Sequence, residues 1–454
     1  MKYSAVAVGV SLACVAIGDA CAQDVPSTQE VPSIQGAPSA QDVPDTVNQS
    51  SVGSAGEAGP APGRKIVPKK TPQSASESYQ LGSFTVSPEI VVSEMYDDNV
   101  YVTQTNKIAD FATIFSPTVW VQSNWSEHVL KFEAGGDLAR YQSQTSQNSN
   151  DYHFAAEGRY DISADTNVYG GVRKAQEHED RESPDFRNGY FPTEYQALKG
   201  YAGWFKQFDR VSVRVGGAAQ KLDFSNVPFT YGVINNQDRN RTMYAGGARL
   251  GYELSPTSEV YLQSAVDDRR YQNVPDDGGY YRDSNGERFL VGSRINIPHQ
   301  LRLDAFVGHM TQRYQDPRLG NVSTPMVGAN VDWFKSPVTT VNAYLDRTIE
   351  ETTVYQTVPV VLPASSYVNT YTGLTVNHKY TERLVANANL SYSRNEFMGF
   401  SRTDNYSGIG FGAVYKLSRG IFLDSSYQHR FLKSDYALED FTRNLLFFRL
   451  AFAL

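Results

Sequence analysis

Histidine is the first residue type to test for catalysis, because imidazole serves both acid-base and metal chemistry near neutral pH. The seven histidines, His128, His153, His178, His299, His309, His378 and His429, are scattered. None stands in an H-E-x-x-H or other metal-ligand spacing, and no G-x-S-x-G nucleophile elbow occurs. Gly408-Ile-Gly410-Phe-Gly412 has the glycine density of a nucleotide loop. It falls in a strand pattern with no helix after it, where small residues that ease barrel packing account for it better. The acidic pairs Asp267-Asp268 and Asp276-Asp277 suit a divalent ion, but solvated loop tips are the commoner origin of such pairs. Both cysteines, Cys14 and Cys21, lie in a segment expected to be removed, which excludes a disulfide scaffold and a Cys-ligated metal from the mature chain. A Ser-His pair assembled only in space stays open as the minor alternative. The sequence therefore predicts no enzyme, no cofactor and no metal site.

The remaining candidates are charged and amide side chains that alternate with apolar ones, and strands must position them. From Phe84 onward, segments of roughly 11 to 16 residues show period-two alternation and are rich in Tyr, Phe, Val and Thr. The expected strands are 84–96, 109–123, 127–142, 150–161, 165–178, 193–207, 210–224, 241–254, 259–273, 286–297, 301–315, 324–334, 339–354, 367–379, 383–397, 404–417, 421–433 and 441–454. That makes about eighteen, an even number, and short links alternate with longer polar ones. Short links fall near Trp125-Ser126, Ser163-Ala164, Asp209, Pro256-Thr257, Pro298-His299, Ser336-Pro337, Thr381-Glu382 and 418–420; longer loops include 181–192, 225–240, 274–286 and 433–440. The fold class is thus all-β: a transmembrane antiparallel up-and-down β-barrel. No stretch is long enough for a membrane-spanning helix, and the mean hydropathy of −0.44 is compatible with a barrel because lipid-facing and lumen-facing residues average out.

A charge held against hydrocarbon at mid-membrane costs about 2–4 kcal/mol, so the more apolar face of each strand belongs to lipid. In 301–315, Leu301, Leu303, Ala305 and Val307 face lipid, leaving Arg302 and Asp304 inside; in 286–297, Phe289, Val291 and Ile295 face out, and Arg288 and Arg294 point in. The same rule sends Glu157, Arg159, Arg173, Arg214, Arg249, Asn330, Asp332, Asp346, Asn387, Asn389, Asp424 and Arg449 to the lumen. Tyr160, Tyr252, Tyr271 and Tyr415, near strand ends, are expected in interfacial girdles. Barrels of 16 to 18 strands are wider than their own side chains can fill. An inward Arg is more often part of a solvated charge network than a selectivity element, so the weight on any single lumen residue is small.

The ends carry separate information. Residues 1–22 read as a signal peptide: Lys2, an apolar stretch from Ala5 to Ile17, and Ala20-Cys21-Ala22 as cleavage site. Residues 23–82 read as a disordered periplasmic tail with an imperfect hexapeptide repeat placing Pro26, Pro32, Pro38 and Pro44 six apart, followed by basic Arg64, Lys65, Lys69 and Lys70. It is the only segment outside the barrel expected to be long enough to plug it. Residues 83–454 are the barrel. At the C-terminus Leu446, Phe448, Leu450, Phe452 and Leu454 share one face, with Arg443 and Arg449 on the other. This resembles the terminal assembly signal of outer-membrane barrels, with Leu where Phe is usual. The net charge of −8 argues against a nucleic-acid partner.

Residues 81–101, with Phe84-Thr-Val-Ser-Pro88 and Met95-Tyr-Asp-Asp-Asn-Val-Tyr101, and then Phe115-Ser-Pro-Thr-Val-Trp120, resemble the opening of the putative β-barrel porin 2 family of bacterial outer-membrane proteins. Asp98 and Asn99 suit a strand-to-loop transition, where they can bond local backbone groups. The resemblance covers about Phe84 to Leu454. It implies an outer-membrane location, contact with lipid and lipopolysaccharide, insertion by the barrel-assembly machinery, and a link with exopolysaccharide or capsule secretion alongside periplasmic export proteins. Three functions stay open: an export conduit for a polysaccharide, a general or substrate-selective diffusion porin for small solutes, and a structural or adhesive barrel.

Overall fold

Period-two alternation becomes structure here because every backbone group in lipid must be paired within the protein, and a closed sheet does this without an edge. The computed structural model describes residues 78–453 except 187–188, 357–360 and 437–438. The signal peptide, nearly all of the tail and Leu454 lie outside the described residues. Within them, eighteen long antiparallel strands follow one another. They are β1 (Phe84–Asp97), β2 (Asp110–Ser123), β3 (Val129–Tyr141), β4 (Ser149–Ser163), β5 (Thr166–His178), β6 (Glu194–Phe208), β7 (Val211–Phe224), β8 (Arg241–Ser255) and β9 (Ser258–Tyr271). The second half holds β10 (Ser284–Ile297), β11 (Leu301–Tyr314), β12 (Val322–Ser336), β13 (Thr339–Glu351), β14 (Ser366–Thr381), β15 (Leu384–Met398), β16 (Thr403–Ser418), β17 (Ile421–Ser434) and β18 (Phe441–Ala453). Each pairs with the next, and β1 pairs with β18 from Glu89–Ala453 to Asp97–Leu445, which closes the barrel.

Alternation sorts the two faces. In β2, Asp110, Ala112, Ile114, Ser116 and Thr118 are buried inward while Phe111 and Phe115 are exposed outward. Phe154, Leu262, Val266, Val291, Val307 and Phe411 continue the outward apolar belt. Leu446, Phe448, Leu450 and Phe452 of β18 lie on this outer face too. Tyr160, Tyr252 and Tyr415 are exposed outside. Tyr271 is a correction: it shares the parity of Asp267 and Arg269, is buried inside the barrel, and donates to Glu351 Oε2 at 2.6 Å. A second correction concerns the tail boundary. Tyr79–Leu81 is a short strand paired with Phe84–Val86 of β1, because an unpaired run at the start of β1 offers it free backbone groups.

The closing seam is reinforced by the Asp97-Asp98-Asn99 run. Asn99 does bond local backbone, accepting from Thr103 N at 3.0 Å, and it also donates to Thr442 O at 3.0 Å across the seam. Asp98 binds across the seam: Asn444 N donates to Oδ1 at 2.6 Å and Asn444 Nδ2 to Oδ2 at 2.5 Å, from 346 positions away. Bonds to an ionised acceptor contribute about 1.5–3 kcal/mol each, less where water competes. Asp98→Ala is therefore expected to lower the temperature at which the folded, fast-migrating band on a heat-modifiability gel is lost, while Asp223→Ala, on the rim of β7, leaves it unchanged.

Candidate functional site: the occupied lumen

The register places every charged and amide residue singled out above on the inner face, in separate groups. On β4 and β5, Glu157 lies opposite Lys131 and Gly171, Arg159 pairs with Asp161 at 3.0 Å, and Arg173 with Glu177 at 3.1 Å. Arg288 binds Asp267 at 2.7 Å. Arg302 lies opposite Asp332, Asp304 opposite Asn330, and Asp346 opposite Gly328 and Tyr371. Asn387 and Asn389 face Asn377 and Thr375, and Arg449 binds Asp424 at 2.9 Å beside the seam. One group is brought together as a cluster: Arg214 stands directly opposite Arg249, and Arg294 reaches Asp304 at 3.1 Å.

Exposure along the inner face changes from one rim to the other. Near the short turns, Gln122, Glu157, Arg302 and Asn330 are exposed to the lumen. Near the long loops, Asp97, Arg269, Gln312, Asn395 and Asp404 have no exposure at all. Short turns mark the periplasmic rim of such barrels, so the lumen forms a polar vestibule on that side and is filled on the other.

Part of the filling is apolar: Leu290, Met310, Tyr314, Leu319, Val322, Met326, Ile349 and Val368 pack together inside β9 to β14. The rest is ionic and comes from loops. Residues 179–186 leave β5 and enter the interior. Glu179 takes a two-pronged contact from Arg239 at 2.7 and 3.0 Å. Asp180 and Glu182 accept from Arg443 of β18 at 3.3 and 3.0 Å, and Arg430 of β17 reaches Glu182 at 3.3 Å. Asp185 accepts from Thr352 Oγ1 at 2.6 Å and Thr353 N at 3.0 Å, just past β13. The segment thus spans from β5 to strands lying across the ring. Nearby, Arg282 binds Asp276 and donates to Thr352 O at 2.9 Å and Ala364 O at 3.0 Å, tying two further loops together. The expectation that only the tail is long enough to plug the barrel is corrected: loops of ordinary length suffice when their charges meet partners on the opposite wall.

The loop cations feel this setting. Burial alone would depress the Arg239 guanidinium, but Glu179, Asp185 and Asp238 outweigh it and hold its pKa above the ordinary value. Arg282 is likewise raised, burial being overcome by Tyr271 and Asp276. Arg181 differs: burial pushes it down to about 10. Its guanidinium sits between the rings of Tyr101 and Phe186, at 4.9 and 4.7 Å, and donates to Gln147 Oε1 at 2.5 Å.

Asp97, Glu179, Asp180, Glu182, Asp185, Arg239 and Arg282 are absent from the sequence-derived candidates. The one signal available was the density of charge at Glu179-Asp-Arg-Glu182, which a solvated loop explains equally well.

The sequence profile of the family described as "Putative beta-barrel porin 2" matches residues 74–453. None of the curated proteins matches the chain significantly. Among solved structures, OccK9 (OpdG) of Pseudomonas aeruginosa is similar at 13% identity, covering 82% of this chain and 98% of that one, with a TM-score of 0.43. The copper transporter OprC is similar at 9% identity over 83% of this chain and 82% of that one, TM-score 0.45. OpdK of Pseudomonas aeruginosa with vanillate is similar at 10% identity over 81% and 99%, TM-score 0.43.

Proposed function

Since the chain belongs to the putative β-barrel porin 2 family, and is a porin-like barrel of the bacterial outer membrane, we propose that it is an export conduit for an exopolysaccharide or capsule polymer. Its vestibule receives cargo from the periplasm and its outer exit is held by its own loops. The observation that carries this is the one-sided exposure of the inner face, from exposed Arg302 and Glu157 at the periplasmic rim to fully buried Asp97 and Asp404 at the loop rim. A chamber open to the periplasm and latched outward loads from inside.

The lining suits a hydrated sugar chain. Tyr201, partly exposed, lies over inner-face Gly171, where a ring finds room because its neighbour has no side chain. Asn387 and Asn389 add amide donors and acceptors. Ion pairs suit a latch that must open and reclose, since each charge recovers hydration when the pair parts. Periplasmic export proteins are the partners this reading gives the tail, because β1 begins at the short-turn rim.

Deleting the gene and measuring secreted polymer beside uptake of small solutes tests this. Loss of secreted polymer with normal uptake is the expected outcome. Unchanged polymer with slowed uptake would replace export by diffusion, and no change in either would leave a structural or adhesive role.

A further inference from the structure

We propose that the vestibule holds an oxyanion-binding site, formed by Arg214, Arg249 and Arg294, for a carboxylate- or phosphate-bearing solute. This rests on the vestibule being solute-accessible, as the export reading requires.

Arg214 of β7 and Arg249 of β8 are direct cross-strand partners. Like charges in that relation are destabilising, so the pairing lacks a structural rationale. Their surroundings do not neutralise them. Asp304 already accepts from Tyr261 Oη at 2.5 Å and from Arg294 Nη2 at 3.1 Å. Glu259 accepts from Ser212 Oγ at 2.9 Å and lies 3.9 Å from Arg294 Nη1. Three guanidinium groups thus face two carboxylates that have other claims on them.

Arg249 is 4% exposed, and among the described residues none of its three side-chain nitrogens makes a hydrogen bond. It rests over the Tyr261 ring at 3.2 Å, with Asp304 Oδ2 3.7 Å from its Nη2. Arg214 makes no hydrogen bond or ion pair among the described residues, lies over Phe205 at 4.9 Å and is partly buried at the lumen face. A buried guanidinium whose N–H groups make no hydrogen bond, with one carboxylate only at ion-pair distance, is costly. An entering oxyanion supplies the acceptors, because the planar N–H fork matches carboxylate and phosphate geometry. The stacking rings of Tyr261 and Phe205 hold both forks in place, so little side-chain freedom is lost on binding.

Isothermal titration of the full-length protein in detergent with galacturonate, inorganic phosphate and neutral galactose tests the site. Either anion is expected to bind, and galactose to bind at least tenfold more weakly. The stronger anion tells an acidic sugar from a phosphorylated solute. Arg214→Gln, which breaks no hydrogen bond or ion pair among the described residues, and Arg249→Gln should each weaken anion binding at least tenfold, with the folded band on a heat-modifiability gel retained in at least the first. Arg159→Gln, in an ion pair with Asp161 on β4, three strands away from Arg214, should leave it unchanged. No preference of the parent protein for anions over galactose, or equal binding by folded Arg214→Gln, overturns the proposal. Anion binding together with unchanged polymer secretion in the deletion strain would remove the export reading and leave the site; lost secretion with no anion binding would do the reverse.

Discussion

Replacing Arg443 by methionine is expected to free Asp180 and Glu182 from the wall at β18 and open a path beside it. Arg443 is buried among three carboxylates, with Asp97 at 2.6 Å, Glu182 at 3.0 Å and Asp180 at 3.3 Å. Taking away the cation of a buried ion pair costs about 3–5 kcal/mol because the remaining charge is left uncompensated. The cheapest relief is for Asp180 and Glu182 to return to water, since Arg430 retains only one contact to Glu182. At tenfold per about 1.4 kcal/mol, the released population should rise by about a hundredfold or more. Planar-bilayer recordings should show long open periods that the parent protein lacks, and cells should become sensitive to a large hydrophilic antibiotic. Arg443 also binds Asp97 across the closing seam, so the double variant Asp180→Asn, Glu182→Gln serves as partner: it frees the loop while leaving the wall intact. Traces from that variant indistinguishable from the parent's would show that these contacts do not latch the loop.

Val307→Arg is expected to be the most damaging single change on the outer surface. Val307 sits at the middle of β11, 58% exposed on the apolar face, where an arginine must enter hydrocarbon. The cost there is about 2–4 kcal/mol. Asn330→Arg, on the inner face of β12 opposite Asp304, places the same charge in the wet vestibule and should cost less than about 1 kcal/mol. Urea unfolding in lipid vesicles, followed by tryptophan fluorescence, compares the two. Equal midpoints for both variants would mean that the assignment of faces is wrong.

Much of the architecture is legible in residues taken one at a time. Hydrocarbon penalises each charge separately, so alternation along a strand such as 301–314 reveals which face meets lipid before its neighbours are known. Tyr271 shows how the same information is lost: proximity to a strand end suggested a girdle, while its parity with Asp267 and Arg269 already pointed inward. Strand order follows as simply, because a short turn can only join antiparallel neighbours.

The site was not legible on those terms. That Arg214 and Arg249 confront one another depends on the register between β7 and β8, and a shift of one residue would send either to the lipid side. Asp98 finds Asn444 only because the ends of the sheet meet. The chain alone determined the alternation, the turns and hence the barrel, since those follow from local pattern and the solvent on each face. Tertiary structure decided which loops enter the lumen and which charges latch them. Those energies belong to pairs of residues brought together by closure of the ring and carry no local periodicity.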